Sequence, residues 1–197
     1  MGKYGKTGVS VDTPKNTLFG AGTIHKNLKY DGLSGKVWNF EESIVGATKG
    51  GSKFAIKPEF YNVEPDGAMV PIKGLKRKTK ETATMEINFL EITKDLMLAG
   101  TNGKVGTSAD DKYDVIESKE DIVEGDYWDN IAFVGETLAG KNIIVVMDNA
   151  LCTSGFAMDN KNNESGGTAF TFECTADLKD GEYTKLPYHI YYPKVIA

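Results

Sequence analysis

Two stretches of the chain alternate between apolar and polar residues. One runs from Thr82 to Phe89 and the other from Ala169 to Asp177. Their apolar positions are Ala83, Met85, Ile87, Phe89, Phe170, Phe172, Cys174 and Ala176. A period of two predicts antiparallel strands that bury one face and leave the other in water.

Other apolar stretches predict further strands, seven or eight in all. Candidates are Leu18 to Leu28, interrupted by two glycines, Val37 to Ala47, and Phe54 to Val63, where Pro58 indicates an edge or a bulge. The run from Ile143 to Met147 is apolar on both faces and predicts a central strand. Residues 131–138 are expected to pair with it through the turn at 139–142, which contains the glycine that hairpins favour.

Only one segment predicts a helix of useful length, Thr93 to Ala99. Thr93 is suited to the N-cap, Asp95 to the positive end of the helix dipole, and Gly100 to the position just after the helix. The fold class is therefore expected to be mainly β: a sandwich or barrel with one short flanking helix and extended loops.

The length of 197 residues predicts one domain. Residues 1–17 have no apolar period and are interpreted as an N-terminal arm, flexible before assembly. Residues 18–197 then form a single β domain with a long loop at 64–80. A second long loop, at 156–168, is also a candidate for an arm that becomes ordered in a complex.

Composition excludes several classes of protein. The longest aliphatic or Met run, residues 143–147, is far shorter than the ~20 residues that a membrane helix needs. The first residues lack the apolar segment of a secretion signal, so we expect synthesis in the cytoplasm. Two cysteines, Cys152 and Cys174, are too few for a disulfide scaffold and are expected to be free thiols.

The charge is unevenly placed along the chain. The net charge of −5 conceals a segment, residues 110–126, that holds eight acids and two lysines and so carries −6. Residues 73–80 hold four lysines, one arginine and no acid, which gives +5. The basic segment lacks the interleaved aromatic residues that stack on nucleic acid bases, so a solvated loop or a protein contact explains it better.

Catalytic chemistry is sparse. His25 and His189 lie in apolar or aromatic strand contexts outside any metal-binding spacing, which favours structural or surface histidines. No nucleophile elbow is present. We therefore expect neither an enzyme nor a bound cofactor or metal.

Several segments together resemble one family, the major tail tube proteins of long-tailed bacteriophages and related prophages. They are LFGAGTIHKNL (18–28), GATKGGSKF (46–54), DGA (66–68) with KGLK (73–76), ATMEINFLEIT (83–93), NAL (149–151) and PYHIYYP (187–193). The resemblance implies a β-sandwich with a flanking helix and extended arms. Six copies would form a ring with a continuous inner β-barrel, and stacked rings would form the conduit for DNA ejection.

The resemblance also implies partners and a location. The partners are further copies of the chain, a tape-measure protein and the terminator and tip proteins of the tail. DNA would pass through the lumen without specific binding, and no membrane would be involved. The protein would be a structural component of the virion tail, made in the cytoplasm of the host bacterium.

A conduit that releases DNA should be neutral to acidic inside, because each wall lysine or arginine adds affinity for DNA. We expect the polar strand faces to line the lumen, although they can equally face outward to solvent. The expected wall residues are Thr84, Glu86, Asn88, Thr171, Glu173, Thr175 and Asp177.

The two charged segments are complementary, and we expect them to meet between subunits, between rings in particular, and to steer assembly. The basic residues are Lys73, Lys76, Arg77, Lys78 and Lys80. The acidic residues are Asp110, Asp111, Asp114, Glu117, Glu120 and Asp121.

Two other hypotheses about function are compatible with the sequence. An inner tube protein of a contractile tail, a bacteriocin or a type VI secretion system would share the fold, and the sequence does not reveal a sheath. A sugar-binding β-sandwich would need clustered exposed aromatic residues, for which Tyr188, Tyr191 and Tyr192 are the best candidates.

Overall fold

The computed structural model describes residues 8–33, 35, 37–158, 162, 166–178 and 183–194, and it is mainly β. In chain order the strands are β1 (Leu18–Lys26), β2 (Tyr30–Asp31), β3 (Val37–Trp38), β4 (Thr48–Asn62), β5 (Lys76–Phe89), β6 (Lys104–Gly106), β7 (Val115–Glu117), β8 (Trp128–Thr137), β9 (Asn142–Cys152), β10 (Thr168–Cys174) and β11 (Tyr188–Tyr191). The helices are α1 (Thr13–Asn16), α2 (Phe40–Ser43) and α3 (Lys94–Thr101), with a 3₁₀ turn at Glu124–Asp126.

One antiparallel sheet contains all the longer strands, in the order β1-β8-β9-β10-β5-β4. Strand β9 lies at its centre, as the apolar run predicted. One side of β9 pairs with β8, while the other pairs with β11 along residues 144–147 and with β10 along residues 150–152. The hairpin between β8 and β9 closes through Gly140, where φ is +71° and the Thr137 N–H donates to the Lys141 carbonyl.

The main core brings residues from both ends of this sheet into one cluster. Ile24 of β1 is buried in it and the half-buried Phe54 of β4 packs against it, although these strands are the two ends of the sheet order. The sheet must therefore curl around the core. Its buried members include the four apolar positions of β5 and three of those in β10, which confirms the alternating pattern at Ala83, Met85, Ile87, Phe89, Phe170, Phe172 and Cys174.

The predicted strand over residues 37–47 is wrong. Only Val37–Trp38 pairs as a strand, and the chain then makes the single helical turn α2. The reason is a second, smaller core on the outer face of β8 and β9, where Trp38 and Phe40 cover Ala132, Val134, Ile144 and Val146. Strand β3 ends at Trp38 and α2 begins at Phe40, and both aromatic rings pack on this face of the sheet.

His25 holds the α2 turn against β1. Its Nδ1 lies 2.8 Å from Ser43 Oγ and its Nε2 lies 2.8 Å from Thr23 Oγ1. Because the Ser43 hydroxyl donates to the Asn39 carbonyl, it accepts from Nδ1–H, and Nε2 accepts from Thr23. Burial of the ring lowers the pKa of His25 below its usual value. The predicted structural role of this histidine is confirmed.

This lowered pKa predicts a pH dependence of stability. The unfolded chain takes up a proton on His25 below pH ~6.5, whereas the buried ring resists it, so the free energy of unfolding falls as pH drops below that value. We expect the loss between neutral and mildly acidic pH, measured by urea denaturation, to be smaller in His25→Gln. An equal loss in both proteins would contradict this assignment.

Helix α3 forms where it was predicted but ends later. Thr93 Oγ1 accepts from the Leu96 N–H, which confirms the N-cap. The left-handed residue after the helix is Asn102, with φ of +46°, so the expected role of Gly100 is wrong. Gly100 lies within the helix instead. A Cβ at this position would be 2.8 Å from the ring of Phe170, so only glycine lets the helix pack this closely.

Candidate assembly surfaces

The polar faces of β5 and β10 lie side by side, and β4 extends them. Glu86 lies opposite Thr171 of β10 and Lys53 of β4, and Thr84 lies opposite Glu173. We call this surface, formed by Lys53, Thr84, Glu86, Asn88, Thr171 and Glu173, the polar face. It is a sheet surface of mixed charge in which Lys53 Nζ is 2.9 Å from Glu86 Oε1.

Five of the seven residues expected to line a lumen share the polar face, and two do not. Thr175 and Asp177 lie beyond the end of β10, where the Thr175 hydroxyl donates to the Asn149 carbonyl at 2.7 Å. Lys53 was not among the predicted wall residues. The sequence did contain a signal for it. Phe54 and Ile56 are apolar at alternate positions, which places residue 53 on the opposite face of the strand.

The hairpin of β4 and β5 continues well past the core. We call residues 57–80 the arm, and every one of them is exposed except Leu75, which is half-buried. The expected loop at 64–80 is shorter in the structure, because residues 76–80 pair with β4 as a strand and leave residues 63–75 as the loop. All of the basic residues from 73 to 80 belong to this arm.

Apolar side chains cover much of the arm. The exposed ones are Phe60, Tyr61, Val63, Met69, Val70 and Ile72, with Met69 at 98% and Tyr61 at 62% exposure. A two-stranded ribbon is at best marginally stable in water by itself, and an exposed apolar patch of this kind marks an interaction surface. The arm therefore has the composition of a segment that packs against another molecule.

Strand β4 is also an edge strand, as Pro58 predicted. It ends the sheet order, and its register with β5 shifts between Glu59 and Phe60. Along the arm, the described residues provide no partner for the other edge of β4. An unprotected edge is a template for pairing with a strand from another chain.

The acidic segment lies on the surface and is partly neutralised within the chain. Its acids pair with lysines at Lys94–Asp114 (2.6 Å), Lys104–Glu117 (3.9 Å) and Lys119–Asp126. Among the described residues, no lysine or arginine pairs with the exposed acids Asp110, Asp111, Glu120 and Asp121. These four acids are therefore the stronger candidates for contacts between subunits.

Part of the expected N-terminal arm is described. Residues 13–16 form α1, and the Leu138 N–H donates to the Thr17 carbonyl, which ties this segment to the end of β8. Residues 1–7 lie outside the described residues, as do most of residues 159–165 in the other expected arm.

The aromatic residues near the C-terminus do not form a flat platform. Tyr188 packs into the main core, with its ring 6.2 Å from that of Phe54. Tyr191 meets Trp38 edge-on at 71°, and Trp38 is tilted by 56° from Tyr30. Tyr192 is exposed, and its hydroxyl donates to Asn16. Because rings at these angles contact one another, they do not present the coplanar faces on which a sugar ring stacks.

The remaining candidate chemistry is structural. Both cysteines are buried free thiols, as predicted, and burial raises the pKa of Cys174 to about 12. His189 is exposed on β11, with Nε2 3.4 Å from Asp148 Oδ2. Within the described ranges, no group of three or more His, Cys, Asp or Glu side chains is arranged to hold a metal ion. No helix in those ranges is long and apolar enough to span a membrane.

The sequence matches no protein family model and no curated protein.

Proposed function

We propose that this chain is a structural subunit that assembles with copies of itself into hexameric rings stacked into a tube, the tail tube through which a phage genome is ejected. The observation that carries the proposal is the arm. It exposes six large apolar side chains and an unpaired strand edge on a ribbon that extends away from the core. Such a surface is stabilised when another chain covers it.

A contact between the arm of one copy and a different surface of the next is heterologous. Heterologous contacts repeat from copy to copy and produce closed rings or open filaments. A ring made in this way can stack through the same kind of contact, which is the architecture of a tube. The arm would thus supply the contact surface between copies, and its attachment to a different surface of the next copy would set the direction in which the assembly grows.

The polar face is the best candidate for the inner wall. It lacks exposed aromatic residues that would stack on bases, and its two glutamates, Glu86 and Glu173, outnumber its one lysine, Lys53. A wall of this composition releases few counterions from DNA and so holds it weakly. DNA would pass along it without specific binding, and the subunit would act without catalysis.

An inner tube of a contractile tail or of a secretion system would use the same surfaces, and it remains the alternative. The sugar-binding alternative loses support because the aromatic rings contact one another at steep angles.

Electron microscopy of the purified full chain over a range of concentrations tests the proposal. We expect rings or tubes of uniform diameter to appear as the concentration rises. A protein that stays monomeric at the highest concentration, by microscopy and by sedimentation velocity, would refute it. Phe60→Asp on the arm is expected to remain monomeric under conditions in which the unaltered chain assembles.

A further inference from the structure

A groove of about 520 Å³ lies between the acidic segment and the residues that follow β10. Its apolar lining includes Ile122 and Val123 from the acidic segment and Leu178 from the residues after β10. Acidic side chains surround these residues: Glu124, Asp129 and Asp177. None of the described residues that line the groove is a lysine or an arginine.

The three large aliphatic residues of the lining are open to solvent. Ile122 and Val123 are each more than half exposed, and Leu178 is 82% exposed. Large aliphatic side chains that cluster in a concave surface lose unfavourable contact with water when another apolar group fills it. The groove is thus a recessed apolar surface within a negatively charged region, the reverse in charge of the arm.

We propose that this groove receives the arm of a second copy of the chain. Met69 and Val70, at the arm's loop, would contact Ile122, Val123 and Leu178. The basic strand that begins at Lys76 would lie along the acidic rim. This inference rests on the proposed self-assembly and specifies which two surfaces meet.

Charge and apolar character both favour this partner over an unrelated one. The arm combines exposed apolar residues at its loop with five cations between residues 73 and 80, and the groove combines exposed apolar residues with an acidic rim. The rim continues into Glu120 and Asp121, which have no lysine or arginine partner in the described part of the chain. Complementary potentials of this kind steer encounter and fix the register of docking.

None of the described residues that line the groove belongs to the arm of the same chain. The paired strands of the arm extend roughly 20 Å beyond the core at ~3.4 Å per residue. In the single chain every arm residue except the half-buried Leu75 is solvent-exposed, and so are Ile122, Val123 and Leu178 of the groove. The described part of the chain thus presents both this open groove and an uncovered arm, and a contact between two different surfaces of this kind builds an open-ended series.

Engineered cysteines test the contact directly. The native thiols of Cys152 and Cys174 are buried, so introduced surface cysteines provide the accessible thiols. The test variant is the full chain with Met69→Cys and Leu178→Cys. The matched control combines Met69→Cys with Leu33→Cys, since Leu33 is also a leucine, is 100% exposed and lies in a different part of the chain. Each protein is oxidised under mild conditions and separated on a non-reducing gel.

We expect the test variant to form a ladder of disulfide-linked dimers, trimers and longer oligomers, and the control to remain mainly monomeric. If tubes are visible by microscopy but the test variant gives no more ladder than the control, the groove assignment is wrong and the proposed function stands. If the ladder appears but no rings or tubes do, the groove contact is supported and the tube function is refuted. If neither is seen, both are refuted.

Discussion

Reversal of three charges on the arm, Lys76→Glu, Arg77→Glu and Lys78→Glu together, is expected to block polymerisation at low salt. All three residues are exposed, so the fold should survive the change. In an assembled tube the new glutamates would face the acidic residues of the neighbouring chain. Attraction would become repulsion at every repeat of the contact.

The size of the effect comes from repetition. A surface ion pair contributes only about 0–1 kcal/mol, so three lost pairs amount to about 2 kcal/mol for each subunit contact. That corresponds to a ~30-fold higher critical concentration for assembly. High salt should restore part of the assembly, because the Debye length falls from ~10 Å at ~0.1 M to ~3 Å at ~1 M and screens the repulsion.

Pelleting and light scattering as functions of concentration measure this change. A charge-matched control, Lys29→Glu, Lys141→Glu and Lys194→Glu, alters three exposed lysines outside the arm and should assemble at nearly the concentration of the unaltered chain. Normal polymerisation of the arm variant at low salt would show that the charged segments do not pair.

The second large effect is expected in the core, at Phe170. Its ring is fully buried, meets Phe89 edge-on at 5.7 Å, and is the surface against which Gly100 of α3 packs. Phe170→Ala removes these contacts and leaves a cavity, so we expect the free energy of unfolding to fall by ~3–5 kcal/mol. Much of that loss should come from weaker packing of α3 against the sheet.

Urea denaturation followed by circular dichroism gives the change in free energy. Phe60→Ala is the matched control, because it removes the same side chain from an exposed position on the arm and should change stability by no more than ~0.5 kcal/mol. A loss below ~1 kcal/mol for Phe170→Ala would contradict the described packing.

Strands with one buried and one exposed face were predictable from sequence. Segments whose conformation depends on packing against residues distant in sequence were not. The alternation in β5 and β10 directly reported which side chains are buried. Residues 37–47 have an apolar pattern that suits a strand, yet the second core of β8 and β9 imposes the α2 turn. Gly100 looked like the end of a helix, and only its distance from Phe170 explains why the helix continues.

The surfaces were harder to predict than the core for the same reason. Residues 76–80 are all polar and so show no alternation of apolar and polar residues. They are extended because their backbone pairs with β4. The groove joins Ile122 and Leu178, which are far apart in sequence and meet because β8, β9 and β10 are adjacent in the sheet. Local sequence carries little information about such a surface.

The central claim is that copies of this chain form a tube whose inner wall is the polar face. A cryo-electron microscopy reconstruction of the assembled protein tests it most directly. We expect hexameric rings with Glu86 and Glu173 facing the lumen. Glu86 and Glu173 on the outer surface of the tube, or a protein that forms no tube, would contradict it.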